Sequence, residues 1–236
     1  MMKLHYLQHS GFMLETSERA YIFDYYKDST GEVKRAQAEG KALWFFVSHW
    51  HHDHYVPEIL TFNSPTTHYI VHEDVPHSEM PVDRTTVMKV GEHTKVEEIP
   101  IHMYGSTDEG GSFLVTIGGA RIFHAGDLNW WHWLGDTAEN NREAKANAVR
   151  EFNRVAGMEA DLVMFPVDAR LEGAREWGII EFLHKVPQPK LLVPMHSNGP
   201  VWTPSVYFKA LYETLPIWTP QASGDVVDVS AYQISE

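Results

Sequence analysis

An apolar stretch at residues 43–47 runs directly into Ser48-His49-Trp50-His51-His52-Asp53-His54, and no other juncture constrains the fold as tightly. Five apolar residues in succession read as a buried strand. Residues two apart on an extended segment share a face, so His49 and His51 can direct their imidazoles at one ion while Trp50 faces away. Asp53 and His54 fall where the chain must turn, because Tyr55-Val56-Pro57-Glu58 looks like a helix opening with proline in its first turn. A fold that accommodates this run must bring the end of a strand to a place where a ligand can enter. A histidine-rich surface loop is the bland reading, but four ligand-type residues spaced H-x-H-x-D-H behind a strand argue against it.

Further apolar stretches with turn signals between them occur at residues 4–7, 12–14, 21–23, 69–71, 86–89, 113–117 and 121–123, and these read as strands. Ser10-Gly11 and Gly118-Gly119 signal hairpins. Beyond residue 136 the texture changes: residues 139–155 have helical spacing, with Ala144, Ala148, Phe152 and Val155 near one face and Gly157 as a stop. Strands at 162–165, 191–193 and 226–229 then alternate with helices at 174–183 and 205–211. Strands first and βα units later, with no linker or internal repeat, predict one layered α/β domain over residues 1–236, sheet packed on sheet with helices outside.

Composition narrows the function. The 236 residues carry a formal net charge of −13, with Lys and Arg scattered rather than gathered in a stripe, which disfavours nucleic acid as a partner and favours a small-molecule substrate. No apolar run is long enough to span a membrane, and the first residues, Met1-Met2-Lys3-Leu4-His5-Tyr6, lack the pattern of a secretory signal, so the expected location is the cytoplasm. Cysteine is absent, so a transition metal must be held by histidine and carboxylate.

The H-x-H-x-D-H run resembles the signature of the metallo-β-lactamase superfamily, which implies a four-layer αββα sandwich with one or two divalent ions at one edge of the sheets. The resemblance extends downstream. Ile122-Phe123-His124-Ala125-Gly126-Asp127 supplies the expected bridging aspartate as Asp127, and Leu191-Leu192-Val193-Pro194-Met195-His196 supplies the late histidine as His196. The resemblance therefore implies His49, His51, Asp53, His54, Asp127 and His196 as metal ligands. Leu7-Gln8-His9-Ser10-Gly11-Phe12 resembles the branch of metal-dependent hydrolases with lactonase-like, small-substrate members.

One ligand of that family is missing. Where a Gly-His-Thr-like turn is expected, the chain reads Tyr104-Gly105-Ser106-Thr107-Asp108-Glu109-Gly110-Gly111, with Ser106 at the histidine position. A hydroxyl is a weak ligand beside an imidazole, so the His49/His51 site is expected to be incomplete unless Asp108, Glu109 or His102 contributes. His102 has a simpler reading as a strand histidine with its own hydrogen bonds. Two further features attract attention. Leu128-Asn129-Trp130-Trp131-His132-Trp133 follows Asp127, and its indoles either fill core or wall a pocket, with Trp131 the candidate wall. Phe165-Pro166-Val167-Asp168-Ala169-Arg170 ends a strand, so Asp168 can orient a ligating histidine and Arg170 can hold a substrate anion, or the two can simply pair. Ser106, Asp108, Trp131, Asp168 and Arg170 are thus the candidate substrate-binding residues.

The expected activity is hydrolysis of a small ester, lactone, amide or phosphoester by metal-activated water, with Asp53 or Asp127 orienting the nucleophile and receiving its proton. Zinc heads the candidate ions, followed by manganese, iron and nickel. A phosphodiesterase or nuclease on the same fold, and a metal-binding protein without catalysis, are the rival readings.

Overall fold

Strand β4 (Ala42–Val47) is apolar on both faces because it is covered on both. In the computed structural model, which describes residues 2–235, Trp44 and Phe46 point into a core shared between two sheets. Leu43, Phe45 and Val47 point the other way, into a separate core closed by Val33 and Ala36 of α1 (Glu32–Ala38) and by Ile59 and Phe62 of a 3-10 turn (Pro57–Phe62).

The first sheet adds β1 (Lys3–Gln8), β2 (Gly11–Glu15), β3 (Arg19–Phe23), β5 (His68–His72), β6 (Thr85–Met88) and β13 (Val226–Asp228), in the order β13-β1-β2-β3-β4-β5-β6. The second contains β7 (His93–Val96), β8 (Ile99–Gly105), β9 (Gly111–Ile117), β10 (Ala120–His124), β11 (Leu162–Pro166) and β12 (Leu191–Met195), in the order β12-β11-β10-β9-β8-β7. Helices α2 (Ala138–Arg154) and α3 (Trp177–Leu183) cover its outer face, where Phe152 and Phe182 pack on Phe165. A short α4 (Val206–Leu211) follows β12. The layers are helix, sheet, sheet, helix, the expected αββα sandwich.

Strand direction assembles the site. β3, β4, β5 and β6 pair in parallel, and β1 reaches them through the antiparallel β2, so β1 runs with β3 and β4. In the other sheet β10, β11 and β12 are parallel, and β8 runs with them through the antiparallel β9. The segments that leave the C-terminal ends of these strands gather at one edge of the sandwich, where open α/β sheets place their ligands.

Some local expectations needed correction. The chain does not stay straight through the ligand run: it bends at Trp50 and His51 and turns over 52–54, with the His54 and Tyr55 amides donating to the His51 carbonyl. The helix expected after Tyr55 is the 3-10 turn at Pro57–Phe62, and the helix expected at 174–183 is split. There Ala174 closes a 3-10 turn (Ala169–Ala174), and α3 begins only at Trp177. Strand β7 escapes the sequence pattern and β8 shows in it only at His102, because alternate residues face solvent and Glu97, Glu98 and Pro100 break the apolar pattern. Helix α1 buries only Val33 and Ala36, too little periodicity to read.

Candidate metal centre

Several edge segments each hand one group or more to a common point, and some hold their backbone under strain to do so. His9 follows β1 at φ 60°, Asp24 follows β3 at φ 44°, and His196 follows β12 at φ 57°. Left-handed backbone costs a non-glycine residue about 1–2 kcal/mol, and such strain gathers at functional sites. The surroundings fix it: the His9 amide donates to Tyr6 Oη at 2.8 Å, and the His196 amide donates to the His9 carbonyl at 3.2 Å. Two glycines permit close approach. A Cβ on Gly110 would lie 2.1 Å from the Ser48 carbonyl oxygen, and one on Gly126 2.6 Å from that of Gly111, so only glycine lets the 106–110 turn and the Asp127 loop press against the start of the His49 segment.

Seven side chains meet in two groups. His9, Asp53, His54 and His196 present donor atoms within 4.8 Å of one another, and so do His49, His51 and Asp127. Asp127 joins the groups. Its Oδ1 lies 3.1 Å from His54 Nε2 and 3.4 Å from His196 Nε2, while its Oδ2 lies 3.6 Å from His49 Nε2.

Outer partners set which nitrogen faces inward. Ser48 Oγ has one proton, which goes to Asp24 Oδ2 at 2.7 Å, so His49 Nδ1 must donate to Ser48 Oγ at 2.9 Å. His54 Nδ1 donates to Asp24 at 2.7 Å and His196 Nδ1 donates to Asp168 at 2.9 Å. With Nδ1 occupied, each Nε2 lone pair is left for the centre, the usual role of such outer partners around a metal. His9 Nε2, His49 Nε2, His54 Nε2 and Asp127 Oδ1 are buried and have no hydrogen-bond partner within the protein. Unsatisfied buried polar atoms are costly, and their convergence here fits a divalent cation bound by nitrogen and oxygen.

The electrostatics agree. Burial opposes a charge on His54, yet the Asp127 and Asp24 carboxylates on either side raise its proton affinity well above that of a free imidazole. The same pair of carboxylates that draws a proton draws a cation. Burial would also favour a neutral Asp127, but His54 and His196 hold its carboxyl far below the usual range. Burial and the neighbouring His54 pull His49 down to about 4, keeping it a neutral donor.

The centre floors a cleft of about 410 Å³. Trp131 lines it, with its Nε1 bonded to the Asp127 carbonyl at 2.9 Å and its ring edge-on to His196. Trp133 stacks on Trp131, whereas Trp130 packs on the core and on Trp177, so the tryptophans divide between pocket wall and packing. Arg170 lines the cleft beside Trp133 while its guanidinium pairs with Asp168. Asp168 itself is fully buried behind His196 and does not line the cleft. Asp108 lines it too, and burial and the charge of Asp127 raise its carboxyl pKa.

Ser106, Glu109 and His102 lie apart from it, in neither donor group and not lining the cleft. The Ser106 hydroxyl turns back to the Asp108 amide. His102 stacks between His93 and Tyr104, and burial and His93 push it down to about 4. Other residues contribute that sequence reasoning passed over. Thr107 clamps the Asp127 loop, donating to the Asn129 carbonyl at 2.6 Å and accepting from the Asn129 amide at 2.8 Å. His124 links the Ser10 carbonyl to the Gly126 amide. Asp24 had one legible signal, a carboxylate directly after an apolar strand.

Comparison with known proteins follows the same line. No curated protein sequence matches the chain significantly. Igni18, a metallo hydrolase from the archaeon Ignicoccus hospitalis, is similar in fold with a TM-score of 0.61 at 18% identity, covering 96% of this chain and 97% of that one. YhfI, a metallo-β-lactamase fold protein from Bacillus subtilis, gives 0.57 at 14% identity over 96% and 98%. The short form of human tRNase Z gives 0.51 at 15% identity over 97% and 99%. Residues 3–196 match the model of the beta-lactamase superfamily domain. With a match over most of its length and the sandwich these structures share, the chain belongs to the beta-lactamase superfamily, in its metallo-β-lactamase fold.

Proposed function

We propose that the chain is a metal-dependent hydrolase that cleaves a small ester, lactone, amide or phosphoester. The observation that carries this reading is the convergence of unpartnered, buried donors on the floor of an open cleft. A divalent ion held by His49, His51, Asp53, His54, Asp127 and His196 would lower the pKa of water from ~15.7 toward ~7 and polarise the oxygen of the bond to be cleaved. The protein's own groups do the rest. Asp127, facing both donor groups, orients the attacking water, and Asp53 or Asp127 receives its proton. Trp131 and Trp133 present flat apolar surface to the substrate, and Arg170 offers a cation beside the metal-facing carboxylates. Zinc suits the histidine and carboxylate donors, and the cytoplasm suits a chain without cysteine.

Nucleic acid is the weaker reading even though a tRNase Z shares the fold. Asp108, Asp136 and Glu143 line the cleft, and this acidic wall disfavours a polyanion. A panel of nitrophenyl esters, lactones and bis(p-nitrophenyl) phosphate, assayed with zinc, manganese, iron and nickel, tests the proposal. Turnover of an ester or lactone that disappears with chelator supports it. Cleavage confined to the phosphodiester would narrow it to the phosphoester and favour the nuclease reading, and retained metal with no turnover of any substrate would overturn it.

A further inference from the structure

We infer that His9 is itself a metal ligand, a third imidazole donor to the ion held by Asp53, His54 and His196. The inference rests on reading the cluster as a divalent-metal site, but it does not depend on what that site hydrolyses. Among the described residues the donor groups contain every ligand the H-x-H-x-D-H run, Asp127 and His196 supply, and they add only His9.

Position is the first argument. A ring nitrogen of His9 lies within 4.8 Å of the donor atoms of Asp53, His54 and His196, and its Nε2 lies 3.3 Å from Asp53 Oδ2. It is buried, and no hydrogen bond satisfies it. The His9 ring packs 4.2 Å from that of His196 and 5.7 Å from that of His54, centroid to centroid, so three imidazoles and a carboxylate enclose one point. A cation at that point gives every one of these atoms a partner. Without it, His9 Nε2 stays buried with no hydrogen-bond partner.

Backbone is the second. His9 sits in the tight turn between β1 and β2, at a φ of 60° that glycine or asparagine adopts more easily. A turn alone would be better served by either. Tyr6 Oη and the His196 amide hold the strained residue from two sides, and both bonds fix the direction in which its ring leaves the backbone.

The consequence is an uneven pair of sites. Asp127 Oδ1 reaches the His54 and His196 side, so that ion meets three imidazoles and two carboxylates, while the other meets two imidazoles and Asp127 Oδ2. Five donors suit the five- and six-coordinate habits of manganese, iron and nickel as well as zinc. The His9 side should hold its ion first, and the His49 side should keep more positions open.

Cobalt(II) is the probe, read by its visible spectrum and by competition with a graded chelator, with no substrate present. His9→Gly removes the imidazole and relieves the turn, and His9→Asn keeps a residue that tolerates the same backbone. Both are expected to lower the affinity of the tighter ion by about tenfold or more, the size of effect seen even for groups one shell further out. The cobalt bands should change as a nitrogen donor leaves. Free imidazole added to His9→Gly should restore both affinity and spectrum. Unchanged affinity and bands in the two variants would overturn the inference. So would a loss that imidazole fails to restore, because His9 would then act only by shaping the turn.

Discussion

The β1–β2 hairpin carries an ionisable cluster at each end, and the two are balanced in opposite ways. At the end away from the metal centre, Glu15 is nearly buried and accepts from His5 Nε2 at 2.7 Å and Arg35 Nη2 at 2.8 Å, with Lys41 Nζ at 3.3 Å. Arg35 reaches Glu32 and Glu39 as well. Here cations and carboxylates answer one another. At the turn end, His9, His49, His54 and Asp127 keep buried atoms that nothing in the protein satisfies. Both clusters border a cavity, about 530 Å³ at the first and 410 Å³ at the second. Cavity size therefore does not separate a site from a structural network. What separates them is whether the protein completes its own hydrogen bonds or leaves them for a ligand.

The sharpest way to break this comparison is Asp127→Ala, which removes the one side chain facing both donor groups. Metal affinity should fall by more than ~100-fold, beyond the range typical of outer partners, and hydrolysis should vanish while the circular dichroism spectrum persists. Full metal content in this variant would mean the ligands are misassigned. Asp24→Asn and Asp168→Asn come next: each weakens the hold on a ligating histidine, and metal analysis after dialysis should show affinity reduced by ~10–100-fold.

Stability should divide the clusters cleanly. Metal at a hundred times its dissociation constant should raise the unfolding free energy by ~2.7 kcal/mol, read as a higher Tm that chelator reverses. Glu15→Gln should lower it by roughly 1–3 kcal/mol without changing metal content, because charged hydrogen bonds lose their acceptor. Burial works against the Glu15 charge, but the hydrogen bonds from Arg35 and Lys41 prevail and bring its pKa from 4.5 down to about 2. Its stabilisation is therefore complete above the ordinary value of 4.5 and fades as pH falls toward 2. A pH titration of stability that is identical in wild type and Glu15→Gln across that window would deny the network its role. The smallest effect is expected from Trp131→Ala, a change in KM of about two- to tenfold with Tm nearly unchanged, as befits an aromatic wall rather than core.

Much of this was legible in the sequence, and the reason is local. His49, His51, Asp53 and His54 announce themselves because four ligand-type residues share one short run, and Asp127 and His196 because each follows a strand. The layered fold followed from strands preceding βα units. His9 and Asp24 were hidden because each is a single polar residue after a strand, and only the parallel alignment of β1, β3 and β4 shows that they reach the same edge. Thr107 was hidden because its role, clamping the Asp127 loop, exists only between segments brought together by β8 and β10. Ser106 drew notice by analogy with an expected histidine, and the turn directs it elsewhere.

The bond from the His196 amide to the His9 carbonyl ties the first turn of one sheet to the last strand of the other. The two residues lie far apart along the chain, and contacts of long sequence separation form late, after the loop entropy of much of what lies between them has been spent. The donor set around His9 and His196 therefore comes into being only when both sheets have docked. An ion cannot act there as a seed for folding. It acts as a clasp on a finished structure, slowing the parting of the sheets rather than hastening their meeting.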